Sequence, residues 1–156
     1  NIIIRKIIAH GGGVVDYYVH SNKKLASIVS LSSGNKELAK DIAMHITALN
    51  PLVIAPEDLS EELITKEKEI IHSQVAKEDK PPEIVEKMVH GRLNKYLSEV
   101  SLIKQRFVKE PNTSIEDLLS ETNSKIKSFV RIEVGEGIEV EEIDFASEVM
   151  AQIESI

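Results

Sequence analysis

Residues 60–100 constrain this chain more than any other stretch, because they hold two helix-forming runs whose apolar stripes are too narrow to be stable alone. Leu63/Ile64 and Ile70/Ile71 repeat seven residues apart within a segment otherwise crowded with Glu and Lys. Such a seam needs a partner helix. After Lys77-Glu78-Asp79-Lys80-Pro81-Pro82, a second run places Val85, Val89, Leu93, Tyr96 and Val100 at steps of four, four, three and four, with Ile84 and Met88 beside them. The six-residue connection is short enough to bring the second helix back antiparallel, so that each seam covers the other. We therefore expect an antiparallel helical hairpin, a short coiled coil whose Glu/Lys-rich outer faces are solvated surface.

The flanking segments read differently. Residues 1–34 are rich in β-branched types and are punctuated by Gly11-Gly12-Gly13 and Ser21-Asn22, which predicts three short strands: Ile2–Ala9, Val14–His20 and Leu25–Leu31. Leu38, Ile42, Ile46 and Leu49 then recur at helical spacing until Asn50-Pro51 stops the run. Beyond the hairpin, Thr113 and Glu116 have the spacing of a reciprocal helix cap, and a helix of about 12 residues is expected after them. Ser128–Val134 alternates, with Phe129, Arg131 and Glu133 on one face and Val130, Ile132 and Val134 on the other, so it is expected to join the sheet with one side wet. After Gly135-Glu136-Gly137, Asp144 precedes a last amphipathic helix in which Phe145, Val149, Ile153 and Ile156 share a face. That helix could dock on its own domain or on a partner.

Composition removes several function classes. The chain has 156 residues, 19 Lys+Arg and 26 Asp+Glu, for a formal net charge of −7, with no basic stripe to track phosphates. Three Tyr, three Phe and no Trp leave few platforms for base stacking. A protein partner is favoured over nucleic acid. The absence of Cys excludes disulfides and thiolate metal sites and fits a reducing compartment, with the cytoplasm as the expected location. No apolar run approaches the ~20 residues that cross a bilayer, and the start Asn1-Ile2-Ile3-Ile4-Arg5-Lys6 lacks the order of a secretory signal. The missing initiator Met suggests a fragment.

The search for catalytic chemistry is equally sparse. Both glycine clusters lack the further residues of a phosphate cradle and read as turns. The histidines at 10, 20, 45, 72 and 90 form no i, i+4 pair, so a metal site is not expected. His45 lies on the apolar stripe between Ile42 and Leu49 and is expected to be partly buried and bonded to a backbone carbonyl. The serines lack a nucleophile-elbow context, and the carboxylates sit mostly on helix surfaces where they stay ionised. The residues read as a binding module with no cofactor.

Several segments resemble elongation factor Ts. Ile42-Ala43-Met44-His45 follows a Lys-Glu-Leu-Ala-Lys helix start and is followed by Pro51 and Pro56-Glu57-Asp58. Pro82-Glu83-Ile84-Val85-Glu86-Lys87-Met88-Val89-His90-Gly91-Arg92 resembles the family's second hairpin helix, and Ser98-Glu99-Val100-Ser101-Leu102, with Gln105, Phe107 and Val108, the segment leaving it. Phe129-Val130-Arg131-Ile132-Glu133-Val134-Gly135-Glu136-Gly137-Ile138-Glu139, followed by Asp144-Phe145-Ala146, is similar to the closing strand and terminal helix.

The resemblance implies an α+β fold: a small antiparallel sheet packed with helices, a protruding antiparallel helical hairpin and a C-terminal helix. It divides the chain into a core (1–58 and 101–137), the hairpin (59–100) and a terminal module (138–156). The activity it implies is guanine nucleotide exchange on the GTPase elongation factor Tu, a non-covalent function in which this chain itself binds no nucleotide. It implies contact through the sheet lobe, with Tyr18 and His20, and through the terminal helix, with Phe145, Val149 and Ile153. The family's Thr-Asp-Phe-Val motif is absent from this sequence, together with the rest of the N-terminal half, so binding without exchange is expected. The readings of a different class are a module that self-associates through its hairpin seam and, less favoured, a hydrolase built on a Ser–His or carboxylate pair.

Overall fold

The computed structural model describes Ile4, residues 7–78 and residues 80–137. The fold is α+β. Three strands, β1 (Val14–Val19), β2 (Leu25–Leu31) and β5 (Ile126–Glu133), form an antiparallel sheet in the order β1-β2-β5. Register places Tyr17 opposite Ile28 and Ile28 opposite Val130, and one residue on it places Tyr18 opposite Ser27 and Ser27 opposite Arg131. Because side chains alternate along a strand, these two rows lie on opposite faces of the sheet.

Helix α1 (Lys36–Leu49) covers the inner face. Asn35 caps it, its Oδ1 accepting from the Leu38 N–H at 2.8 Å, and Asn50 ends it in the left-handed region at φ 47°. Leu38, Ala39, Ile42, Ala43 and Ile46 are buried against Val29 and Leu31, with Tyr18, Val14 and Phe129 packed around them. Burying such a stripe supplies most of the helix's stability, since a 14-residue helix is marginal alone. Two polar groups at this interface are also satisfied: the Ser27 hydroxyl donates to the Ala43 carbonyl and lies 2.8 Å from Thr47 Oγ1.

Helices α2 (Glu61–Val75) and α3 (Pro82–Val100) form the expected hairpin with a small core of their own, made by Ile71, Val75 and Val89 with Val85, Met88 and Leu93 around them. Leu63 and Ile70 face outward, so the seam runs through Ile64 and Ile71. Where the hairpin leaves and returns, the chain is tied to itself. Leu52 N–H donates to the Val100 carbonyl at 2.9 Å, Leu102 N–H to Val53 at 2.9 Å, and Ile103 N–H to Ile54 at 3.0 Å. Leu102, fully buried, then joins the main core.

Four expectations need correction. Ile4 and residues 7–9 are not strand, and Ile4 and Ile7 are exposed; the remainder of the expected Ile2–Ala9 strand lies outside the described residues. The cap near residue 114 is one position later than the Thr113/Glu116 pair: Ser114 and Asp117 bond reciprocally and open a seven-residue helix, α4 (Ile115–Glu121). Thr113 instead belongs to β4 (Glu110–Ser114), which pairs with β3 (Arg106–Phe107) in a small ribbon. His45 is fully buried, and its partners are not a backbone carbonyl. Gln105 Nε2 donates to the Glu99 carbonyl at 2.6 Å, which turns Gln105 Oε1 toward His45 Nε2 at 2.9 Å, while the Val108 N–H donates to Nδ1 at 3.3 Å. The ring is therefore neutral with its proton on Nε2, and it joins α1 to the β3–β4 ribbon.

Two predictions follow from this packing. Gly13 sits at φ +95°, and a Cβ there would meet the Leu31 carbonyl oxygen at 2.0 Å. Gly13→Ala should cost roughly 2–4 kcal/mol, read as a lower urea midpoint with an unchanged slope. For His45, burial lowers the pKa below 6.5, partly offset by the Gln105 hydrogen bond. The unfolded chain then takes up a proton below about pH 6.5 that the folded chain refuses, so stability falls with acidification, by at most ~1.4 kcal/mol per pH unit, until the folded ring titrates. His45→Leu should be less stable at neutral pH yet lose less on going from pH 7.5 to 5.5, checked by urea unfolding at both values.

Candidate partner-binding surfaces

The candidate contact residues that the structure describes lie at one end of β1. Tyr18 projects to the inner face and is half-buried against the core, and its ring centroid is 6.3 Å from that of His20. His20 closes the turn into β2, its N–H donating to the Leu25 carbonyl and its carbonyl accepting from Lys23 N–H, both at 2.8 Å. That geometry leaves the His20 imidazole partly open beside a core-anchored tyrosine. Phe145, Val149 and Ile153, with the whole expected terminal helix, lie outside the described residues.

The more exposed aromatic is Tyr17, 62% accessible, on the opposite face of the sheet. There it shares a surface with Val19, Ile28, Val130 and Ile132, beside a groove of about 800 Å3 that Ile8 and His10 also line. Nothing in the run Val14–Val19 itself signals which of its two faces α1 covers.

One pair in this region has the elements of acid–base chemistry. His10 Nδ1 lies 3.1 Å from Ser128 Oγ. A serine nucleophile needs its histidine oriented by a third group, and His10 Nε2 is buried without a hydrogen-bond partner among the described residues. Ser128 also lies within β5, not on the strained turn that exposes a nucleophile to substrate. The pair instead pins residues 10–12 to the sheet, helped by Ser30 Oγ donating to the Gly12 carbonyl at 3.1 Å.

Most of the remaining ionic features are surface ties, the exception being Arg131, which is largely buried and pairs with Glu133 at 2.9 Å. Lys104 pairs with Glu116 at 2.6 Å, and that bond raises the lysine's pKa. The Ser114 hydroxyl and N–H hold the Asp117 carboxyl below its usual range, as a helix cap does. Arg92 meets Glu78 at 2.7 Å near the hairpin tip. Among the described residues no group of three or more His, Asp or Glu is placed to hold a metal ion, and no helix is long and apolar enough to cross a membrane.

Comparison with known proteins agrees along nearly the whole chain. The family model described as Elongation factor TS matches residues 1–136. Proteins named Elongation factor Ts from Marinobacter nauticus and Hahella chejuensis are 54% and 50% identical to this chain over 97% and 98% of its length, covering 52% and 54% of their own. One from Legionella pneumophila is 46% identical over 98% of the chain and 52% of its own length. The chain thus spans about half the length of the curated relatives it matches, and over that span it is similar enough for one conclusion: it belongs to the elongation factor Ts family.

Proposed function

We propose that this chain is a non-catalytic binding module that holds the translational GTPase elongation factor Tu and takes part in promoting release of its GDP. The observation that carries the reading is the similarity to elongation factor Ts at about half identity across 97% of the chain. The surfaces are compatible with it: Tyr17, Val19 and Ile132 stand exposed on the sheet, and the polar groups nearby serve caps, turns and strand ties.

In this reading the core is residues 1–58 and 101–137, the hairpin is residues 59–100 and the terminal module is residues 138–156. His20, with Tyr18 bracing it, contacts the GTPase from the sheet lobe, and Phe145, Val149 and Ile153 contact it from the terminal helix. Exchange is differential binding: a factor that favours a GTPase conformation with weak GDP affinity is itself bound more weakly when GDP is present, by the same factor. The Thr-Asp-Phe-Val motif is not in this sequence. We therefore assign to this chain the grip on the GTPase, and to that motif the disturbance of its nucleotide site.

Titration of the chain against GDP-bound elongation factor Tu should give a dissociation constant of tens of micromolar or tighter, about −6 kcal/mol or better. His20→Ala should weaken it several-fold. Deleting Ile143–Ile156 should weaken it further while leaving the unfolding transition in place. No binding by a folded sample, or a deletion that unfolds the chain, would contradict the assignment.

A further inference from the structure

We propose that His45 is an acid-sensitive latch: a second proton on its ring releases the turn of the β3–β4 ribbon from helix α1 while leaving the base of the hairpin attached. The asymmetry comes from the hydrogen bonds that fix the ring. Gln105 Nε2 donates to the Glu99 carbonyl in the last turn of α3 at 2.6 Å, so Gln105 Oε1 is left to accept from His45 Nε2 at 2.9 Å. The one ring proton of the neutral form therefore sits on Nε2, and Nδ1 accepts from the Val108 N–H at 3.3 Å.

A further proton can enter only at Nδ1. The bond from Nε2 to Gln105 then persists and strengthens, because its donor has become charged. At Nδ1 the same proton sets one N–H against another. The Val108 bond cannot survive that change, and the imidazolium is left with a buried, unmatched donor.

Burial decides how the conflict resolves. His45 has no accessible surface and Gln105 only 7%, whereas on the Nδ1 side Val108 is 37% and the Lys109 side chain 50% accessible. Lifting Val108 and Lys109 is the shortest way to bring water to Nδ1. Phe107, whose ring centroid is 6.1 Å from that of His45, belongs to the main core and confines the opening to those two residues. The tie from their side to α1 is the Lys109–Asp41 ion pair at 2.6 Å, and a partly exposed pair of this kind contributes little.

The charged groups on the elements that meet at the ring have other partners. Asp41 of α1 holds Lys109, Lys104 holds Glu116 of α4 at 2.6 Å, and Glu99 of α3 lies 3.8 Å from Lys95. Arg106 donates to the Asn112 carbonyl at 3.0 Å, and Glu110, which opens β4, is exposed. Burial lowers the ring's pKa below 6.5 against the opposing Gln105 hydrogen bond, so the latch is closed at neutral pH and opens only in acid. It is independent of the GTPase reading.

NMR of the whole chain between pH 7.5 and 5 tests this. At neutral pH the ring nitrogen shifts should report a proton on Nε2. On acidification, titration of the ring and loss of order at the Val108 and Lys109 amides should share one midpoint below about pH 6.5, while the Leu102 and Ile103 amides at the hairpin base keep theirs. The hydrogen-exchange protection factor of Val108 should fall about tenfold over that range. In His45→Gln it should change less than twofold with pH, and Asp41→Asn, at the ion pair, should leave the parent's pH dependence in place. A ring that titrates with the Val108 amide still ordered would overturn the latch, as would a neutral ring protonated on Nδ1. So would hairpin-base amides lost together with Val108, a pH dependence that survives His45→Gln or vanishes in Asp41→Asn, or unfolding of the chain before the ring takes its proton.

Discussion

The contact on which the rest of the structure depends is the seating of α1 across the inner face of the sheet. Ile42 and Ile46 have no accessible surface, and neither do Val29 and Leu31 beneath them. Removing one such side chain leaves a cavity as well as lost apolar burial, typically costing ~2–5 kcal/mol, a large part of a small domain's stability. Three further things follow from this seating. It orients Tyr18 inward and Tyr17 outward, it places His45 where the β3–β4 ribbon can attach, and it fixes the loop from which the hairpin departs.

That departure explains how an insertion of two long helices leaves the core undisturbed. The chain exits through residues 50–54 and returns through residues 100–103, and backbone hydrogen bonds join the two strands of that neck. The hairpin needs only its own seam for cohesion. Because Ile71, Val75 and Val89 form a cluster separate from the main core, mutation in one should have little effect on the other.

Much of this was legible in the residues, for physical reasons that differ by element. The hairpin and α1 were readable because their apolar periodicity extends over several turns, and β1, β2 and β5 because β-branched runs are bounded by glycine and asparagine turns. Short elements were not. β3 is two residues long, and α4 follows two adjacent hydroxyl residues, Thr113 and Ser114, each with an acidic residue three positions on, so spacing alone does not separate the two caps. Ile4, Ile7 and Ile8 have strand composition but, at the positions described, no strand partner. For the contact surfaces, which face of β1 exposes its tyrosine depends on where α1 docks, and no residue pattern within the strand marks it. His45 was marked as an apolar-face histidine, but its bond to Gln105 spans 60 positions and has no local signal.

The central functional claim is that this chain contributes grip without displacing nucleotide. It is tested most directly by following fluorescent GDP leaving elongation factor Tu in the presence of this chain, of a full-length elongation factor Ts, and of both together. The account predicts that the chain alone changes the release rate less than about twofold, and that in excess it slows release driven by the full-length factor by competing for the same GTPase. Release by the chain alone at the rate of the full-length factor would contradict it, as would a full-length rate indifferent to the chain at any concentration.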